Sequence, residues 1–180
     1  MAVRRTRKKL LNTRLKDVLV FLVVFNLLAI PLYIALYTDF SYRPLQELNA
    51  WMLDLTLKLF GYKSTLVDDS VEVHSNGGIQ LIEISWDSTG WKSMYALVAL
   101  IVATPISKLS RKTKFIVGSV ALIFFLNYLR VSTTVLASII FGFDVFDVVH
   151  TVLWREGLIL SVVAIWFAWL WREKYNIRKR

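Results

Sequence analysis

The sequence predicts an all-α polytopic membrane protein. It is a bundle of four transmembrane helices, with an amphipathic helix and a small β-hairpin on the extracytoplasmic side. Three observations predict this. The 180-residue chain is 56% hydrophobic and its mean hydropathy is +0.54, beyond the usual range of a water-soluble domain. Four apolar runs approach or exceed the length a helix needs to cross a bilayer, about 20 residues. The basic residues, which give a net charge of +9, fall in blocks that alternate with acidic loops. One membrane domain over residues 1–180 accommodates all of it.

The first span is read at residues 18–37, behind a basic start of Arg4, Arg5, Arg7, Lys8, Lys9, Arg14 and Lys16. The run is too long for a secretory signal and lacks a small-x-small cleavage site, so it reads as a retained helix. Pro31 is expected to kink it. An extracytoplasmic insert follows over residues 38–90. Pro44 suits a first helical position. Leu45, Leu48, Met52, Leu55 and Leu59 then recur at helical spacing above a polar face, until Gly61 stops the run. From Val71 to Ile84 the period changes to two, around the turn signal Asn76-Gly77-Gly78. That pattern predicts a two-stranded hairpin resting on the helices. Asp68 and Asp69 read as a solvated loop.

Trp86-Asp87-Ser88-Thr89-Gly90-Trp91 joins the hairpin to the second span. Asp87 and Ser88 are both good N-cap residues, and paired tryptophans suit a membrane–water boundary. The second span is read at 91–107, the third at 115–141 and the fourth at 148–171. The loop 108–114 and the tail are basic. The positive-inside rule then places both termini and that loop in the cytoplasm. The high charge is a topology signal, and its basic ends suit contact with anionic membrane lipid. It is no nucleic-acid signal, because no basic–aromatic patch accompanies it. With no cysteine and two histidines, neither a thiolate site nor a multi-histidine metal site is expected. No cofactor is called for.

Three polar residues come to one depth from three helices. Ser88 opens the second span and His150 the fourth, both at the outer boundary. Arg130 lies about fifteen residues beyond the cytoplasmic end of the third span, roughly 22 Å up. Each has an ordinary explanation: Ser88 as a helix cap, His150 as an interfacial side chain, Arg130 as a snorkelling cation or a partner of Glu156. Together they are a nucleophile, a base and a cation, the parts that acyl transfer requires. His74 is an alternative base. Arg155 and Glu156 point in different directions on one helix and do not pair with each other.

In order, spacing and topology, Ser88-Thr89-Gly90, Asn127 with Arg130, and His150 resemble the exosortase/archaeosortase family of membrane-embedded, sortase-like transpeptidases. Those enzymes carry a Cys-Ser/Thr-Gly motif at the outer end of one helix, Asn-x-x-Arg on a later one and a histidine at the start of a further one. The resemblance covers roughly residues 83–157. It implies catalytic roles for Ser88, Arg130 and His150. It also implies exported protein substrates that end in a short motif, a hydrophobic helix and a basic tail. The chain departs from the family at the nucleophile, where Ser88 stands in place of cysteine. The activity expected of the chain is therefore weakened or absent. The readings set against it are a serine intramembrane protease with a Ser–His dyad and a non-catalytic membrane scaffold.

Overall fold

A computed structural model describes residues 2–75, 78–142 and 155–178. Helix α1 (Ala2–Tyr37) is followed by α2 (Arg43–Leu59), then by strands β1 (Lys63–Val67), β2 (Ser70–Ser75) and β3 (Gly78–Glu83). A 3-10 turn (Trp86–Thr89) leads into α3 (Trp91–Ala103), α4 (Leu109–Phe141) and α5 (Arg155–Arg178). Two helical stretches among the described residues, Asn12–Tyr37 and Ser110–Phe141, are long and apolar enough to cross a membrane. Most of the apolar side chains of α1 are exposed, including Leu19, Val23, Leu27 and Ile34. That is the surface a helix presents to lipid rather than to water.

The elements differ from expectation at several places, beginning with α1, whose helix already starts at Ala2 rather than at 18. The expected hairpin is a three-stranded antiparallel sheet in the order β1-β2-β3. Its extra strand, β1, turns into β2 through Asp68 at φ +54°, a left-handed conformation that aspartate tolerates better than most residues. The expected hairpin turn at Asn76 and Gly77 lies outside the described residues. Helix α3 ends at Ala103 rather than 107, with Thr104 extended at ψ 116°, as the residue before Pro105 must be. The basic segment 108–114 is a short loop only in part: Arg111, Lys112 and Lys114 already ride on α4. The start of the expected 148–171 span lies outside the described residues, and α5 continues beyond it to Arg178.

Two apolar clusters hold the molecule, one above the other along α4. The first joins Leu53 and Leu57 of α2, Val71 and Val73 of β2, Ile84, and Val131 and Val135 of α4. The second joins Leu97 and Ile101 of α3, Ile123 of α4, and Val162 and Trp169 of α5. Polar ties fix the small sheet on this frame. Asp54, 4% exposed, accepts from Lys58 at 2.7 Å and from Ser64 of β1 at 2.6 Å. Gln46 Nε2 of α2 donates to Ile84 O at 2.9 Å, just past β3. The Tyr128 hydroxyl of α4 bonds to Thr56 and to Met52 O of α2. Between the two clusters α4 carries Asn127, one turn from Ile123 and one turn from Val131.

Candidate active site

The turn that holds Ser88 is fixed from both sides. Ser88 N–H donates to Ser85 O at 3.0 Å, and Thr89, fully buried, donates its hydroxyl to Trp86 O at 2.8 Å. Trp86 and Trp91 stack with centroids 5.2 Å apart, closing the outside of the turn. Gly90 ends the turn at φ +78° and opens α3. Neither Asp87 nor Ser88 caps α3 by a side-chain bond, contrary to expectation. The Ser88 hydroxyl lies 2.8 Å from the Ser85 hydroxyl.

Asn127 connects this turn to Arg130. Its side chain is fully buried. The amide nitrogen donates to Ser88 O at 2.8 Å, and the amide oxygen accepts from Arg130 Nη1 at 3.2 Å. The spacing of three residues puts Asn127 and Arg130 on one face of α4. Gly90 is what lets Asn127 in: a Cβ at position 90 would sit 2.6 Å from Asn127 Cγ. Ser88 and Arg130 both line a cavity of about 80 Å³, with Glu83, Ile84, Val131 and Thr134 among its walls.

Of the residues singled out in the sequence, Ser88 and Arg130 meet at this cavity. His150 lies outside the described residues, as do Asp144, Asp147 and the side chains of Arg155 and Glu156. His74 does not line the cavity; it is exposed on β2, with Nε2 3.6 Å from Glu72. Asn127, Gly90 and Ser85 were not among the candidate site residues. The i, i+3 relation of Asn127 to Arg130 was the available signal for the first. A glycine directly before a helix was the signal for the second. Among the described residues no group of histidine and carboxylate side chains could hold a metal ion. A larger cavity, about 860 Å³, lies at the other end of α4 and is lined by Arg111, Lys114, Trp169, Arg172 and others. Its one hydroxyl among the described residues, Ser119, is bonded to Ile116 O within the helix.

The long apolar helices are those of a membrane protein, and the polar chain Ser88–Asn127–Arg130, buried at Asn127, gives it a polar site where α4 meets the turn before α3. The model of the transmembrane exosortase family matches residues 10–170, and the chain belongs to that family. No curated protein gives a significant match. No solved structure does either.

Proposed function

We propose that the chain is a membrane transpeptidase that cleaves the C-terminal sorting signal of exported proteins through an acyl-enzyme. The observation that carries the reading is the Asn127 bridge, which ties the backbone of Ser88 to the guanidinium of Arg130 beside one cavity. In this reading four spans cross the membrane, both termini are cytoplasmic, and the site opens outward. The alternation of basic and acidic segments supports that topology. The substrate's hydrophobic helix lies beside the spans, with its basic tail in the cytoplasm.

The Ser88 oxygen attacks the scissile carbonyl carbon, and His150 takes the hydroxyl proton. Arg130 stabilises the oxyanion. Asn127 accepts from the guanidinium and keeps it directed at the cavity. As the tetrahedral intermediate collapses, the C–N bond breaks and His150 returns the proton to the leaving amine. Water, an amine or a lipid acceptor then resolves the ester. A serine hydroxyl is almost wholly protonated at neutral pH, whereas a cysteine already offers some thiolate. In a site shaped for sulfur, serine is the weaker nucleophile.

The test is Ser88→Cys in the full chain, reconstituted in liposomes with a tripartite C-terminal signal peptide. The expected result is faster processing than by the parent chain, and a thiol that iodoacetamide modifies at neutral pH. His150→Ala or Arg130→Ala added to Ser88→Cys abolishes processing while the protein still folds. Equal rates for parent and Ser88→Cys would make serine a fully competent nucleophile and sink the weakened-enzyme reading. An inert thiol and no processing by either form would leave a scaffold.

A further inference from the structure

Strand β3 leads straight into the proposed site, and among the described residues nothing pairs with its outer edge. The Ile84 N–H bonds to Asp69 O at 3.0 Å, and residues 84 and 69 continue the β2–β3 register that pairs Ser70 with Glu83. A directly opposed, hydrogen-bonded pair fixes the phase of an antiparallel ladder. Ile82, Gln80 and Gly78 therefore bond to β2. Ile79, Leu81 and Glu83 turn their N–H and C=O groups the other way. No hydrogen bond involving the described residues reaches those outward groups. Edge strands are normally protected by lysine, proline or a bulge. From 78 to 83 this one reads Gly-Ile-Gln-Leu-Ile-Glu, with neither lysine nor proline. Ile79 and Leu81 are each 66% exposed. At the far end of the strand, Ile82, Glu83 and Ile84 line the same cavity as Ser88 and Arg130.

We infer that the extended segment of the substrate just before the scissile bond docks on β3 as a fourth strand of the sheet. The inference rests on the proposed transpeptidase reading, and the direction of the chain sets its geometry. β3 descends toward Ser88 and continues into the membrane as α3. A substrate whose motif is outside and whose tail is cytoplasmic runs the same way. The added strand is therefore parallel to β3. Its hydrogen bonds go to Ile79, Leu81 and Glu83 through alternate substrate residues, and its last residue reaches the Ser88 cavity. Main-chain bonds of this kind supply affinity with little demand on sequence, and alternate side chains supply selection.

The test uses the full chain carrying Ser88→Cys, in liposomes, with the tripartite signal peptide that this variant processes as probe. Leu81→Pro deletes one outward N–H and no bond to β2, which an edge strand tolerates. The matching control is Leu66→Pro on β1, whose N–H turns outward at the opposite edge of the sheet by the same register argument. Leu81→Pro is expected to raise KM about tenfold, the loss of roughly one bond to the substrate. Iodoacetamide labelling at position 88 stays intact, and Leu66→Pro leaves KM unchanged. Peptides N-methylated one residue at a time keep the test valid if Leu81→Pro fails to fold. Methylation weakens processing at every second position before the scissile bond and spares those between. A KM unmoved by Leu81→Pro, or a methylation scan without a period of two, overturns the docking mode while position 88 remains reactive. Loss of labelling and processing in the Ser88→Cys parent overturns the transpeptidase reading itself, and the docking mode with it.

Discussion

Helix α4 grips the chain on both sides of α3, and the two grips are chemically alike. On the side that the proposed topology makes the outer one, Asn127 donates to Ser88 O at 2.8 Å, just before α3 begins. At the inner side Lys112 donates to Val102 O at 2.8 Å and to Thr104 O at 2.6 Å, where α3 ends. Both side chains are buried, Asn127 fully and Lys112 to 6% exposed. The inner grip answers a structural need. The last carbonyls of a helix have no partner within it, and a cation there also suits the negative end of the helix dipole. Thr104 adds a hydroxyl bond to Leu100 O and receives Trp166 Nε1 at 3.1 Å, and both residues line a separate cavity of about 550 Å³. The outer grip differs in one respect: its far side leads on. Asn127 also accepts from Arg130, and Arg130 lines a cavity together with Ser88. A buried polar residue in a membrane helix is therefore not by itself a sign of function. A cation in relay that shares its cavity with a serine makes the difference.

Gly90→Ala is the harshest way to break the outer grip. The left-handed backbone at φ +78° costs alanine about 1–2 kcal/mol, and the new Cβ would overlap Asn127 Cγ. Moving either residue separates Asn127 from Ser88 O. The expected outcome is loss of processing by 100-fold or more in the Ser88→Cys background, on the order of what one misplaced active-site group costs. A moderate fall in thermal unfolding temperature accompanies it. Full activity in Gly90→Ala would show that the Asn127 contact does not position the turn.

Asn127→Asp sharpens the comparison because it is nearly isosteric. It keeps an acceptor for Arg130 and replaces the donor to Ser88 O with a second acceptor. Processing is expected to fall by about 10- to 100-fold, since a repelled carbonyl shifts the turn that carries residue 88. Iodoacetamide labelling of the Ser88→Cys thiol should slow as well. Lys112→Met is its counterpart at the inner grip. It leaves Val102 O and Thr104 O without their donor, so stability falls by about 1–3 kcal/mol, read as a lower unfolding temperature in detergent. Once folded, its KM and kcat stay at the parent values. A Lys112→Met protein that is stable but inactive would erase the distinction between the grips.

How much of this was legible in the sequence follows the range of the interactions. Arg130 stands out as a cation deep in an apolar run, and Asn127 three residues earlier shares its helix face; both facts need only the helical period. The membrane class needs only composition and charge order. The family model over residues 10–170 bears out the family read from the chain. Lys112 was counted only as a positive-inside charge, because its acceptors belong to a helix end ten residues earlier whose position depends on Pro105. Strand β1 was missed for a similar reason. Lys-Ser-Thr-Leu-Val has no clear alternation of its own, and its burial pattern is almost wholly exposed. It is a strand because Ser64 is tied to buried Asp54 and because β2 pairs with it.

The smallest expected effect belongs to a third tie on α3, which links it to α1. The Tyr95 hydroxyl donates to Leu28 O at 2.7 Å. Pro31 lies inside α1 and has no N–H, so the carbonyl of Leu27, four residues earlier, lacks its helical donor, and the backbone there is loosened. Leu28 is the next carbonyl along, and a hydroxyl from a neighbouring helix is one of the ways membrane helices repair such a break. Tyr95→Phe removes this bond and little packing. Hydrogen bonds between membrane helices average about 0.6 kcal/mol, so the unfolding temperature should drop only slightly and processing should hold. Phe21 of α1 still stacks on Trp166 of α5 at 6.0 Å, which keeps the helix attached. Adding Pro31→Ala restores the ladder within α1, and Tyr95→Phe should then cost less than it does beside Pro31. An undiminished cost would mean that Tyr95 serves α3 packing rather than the break in α1.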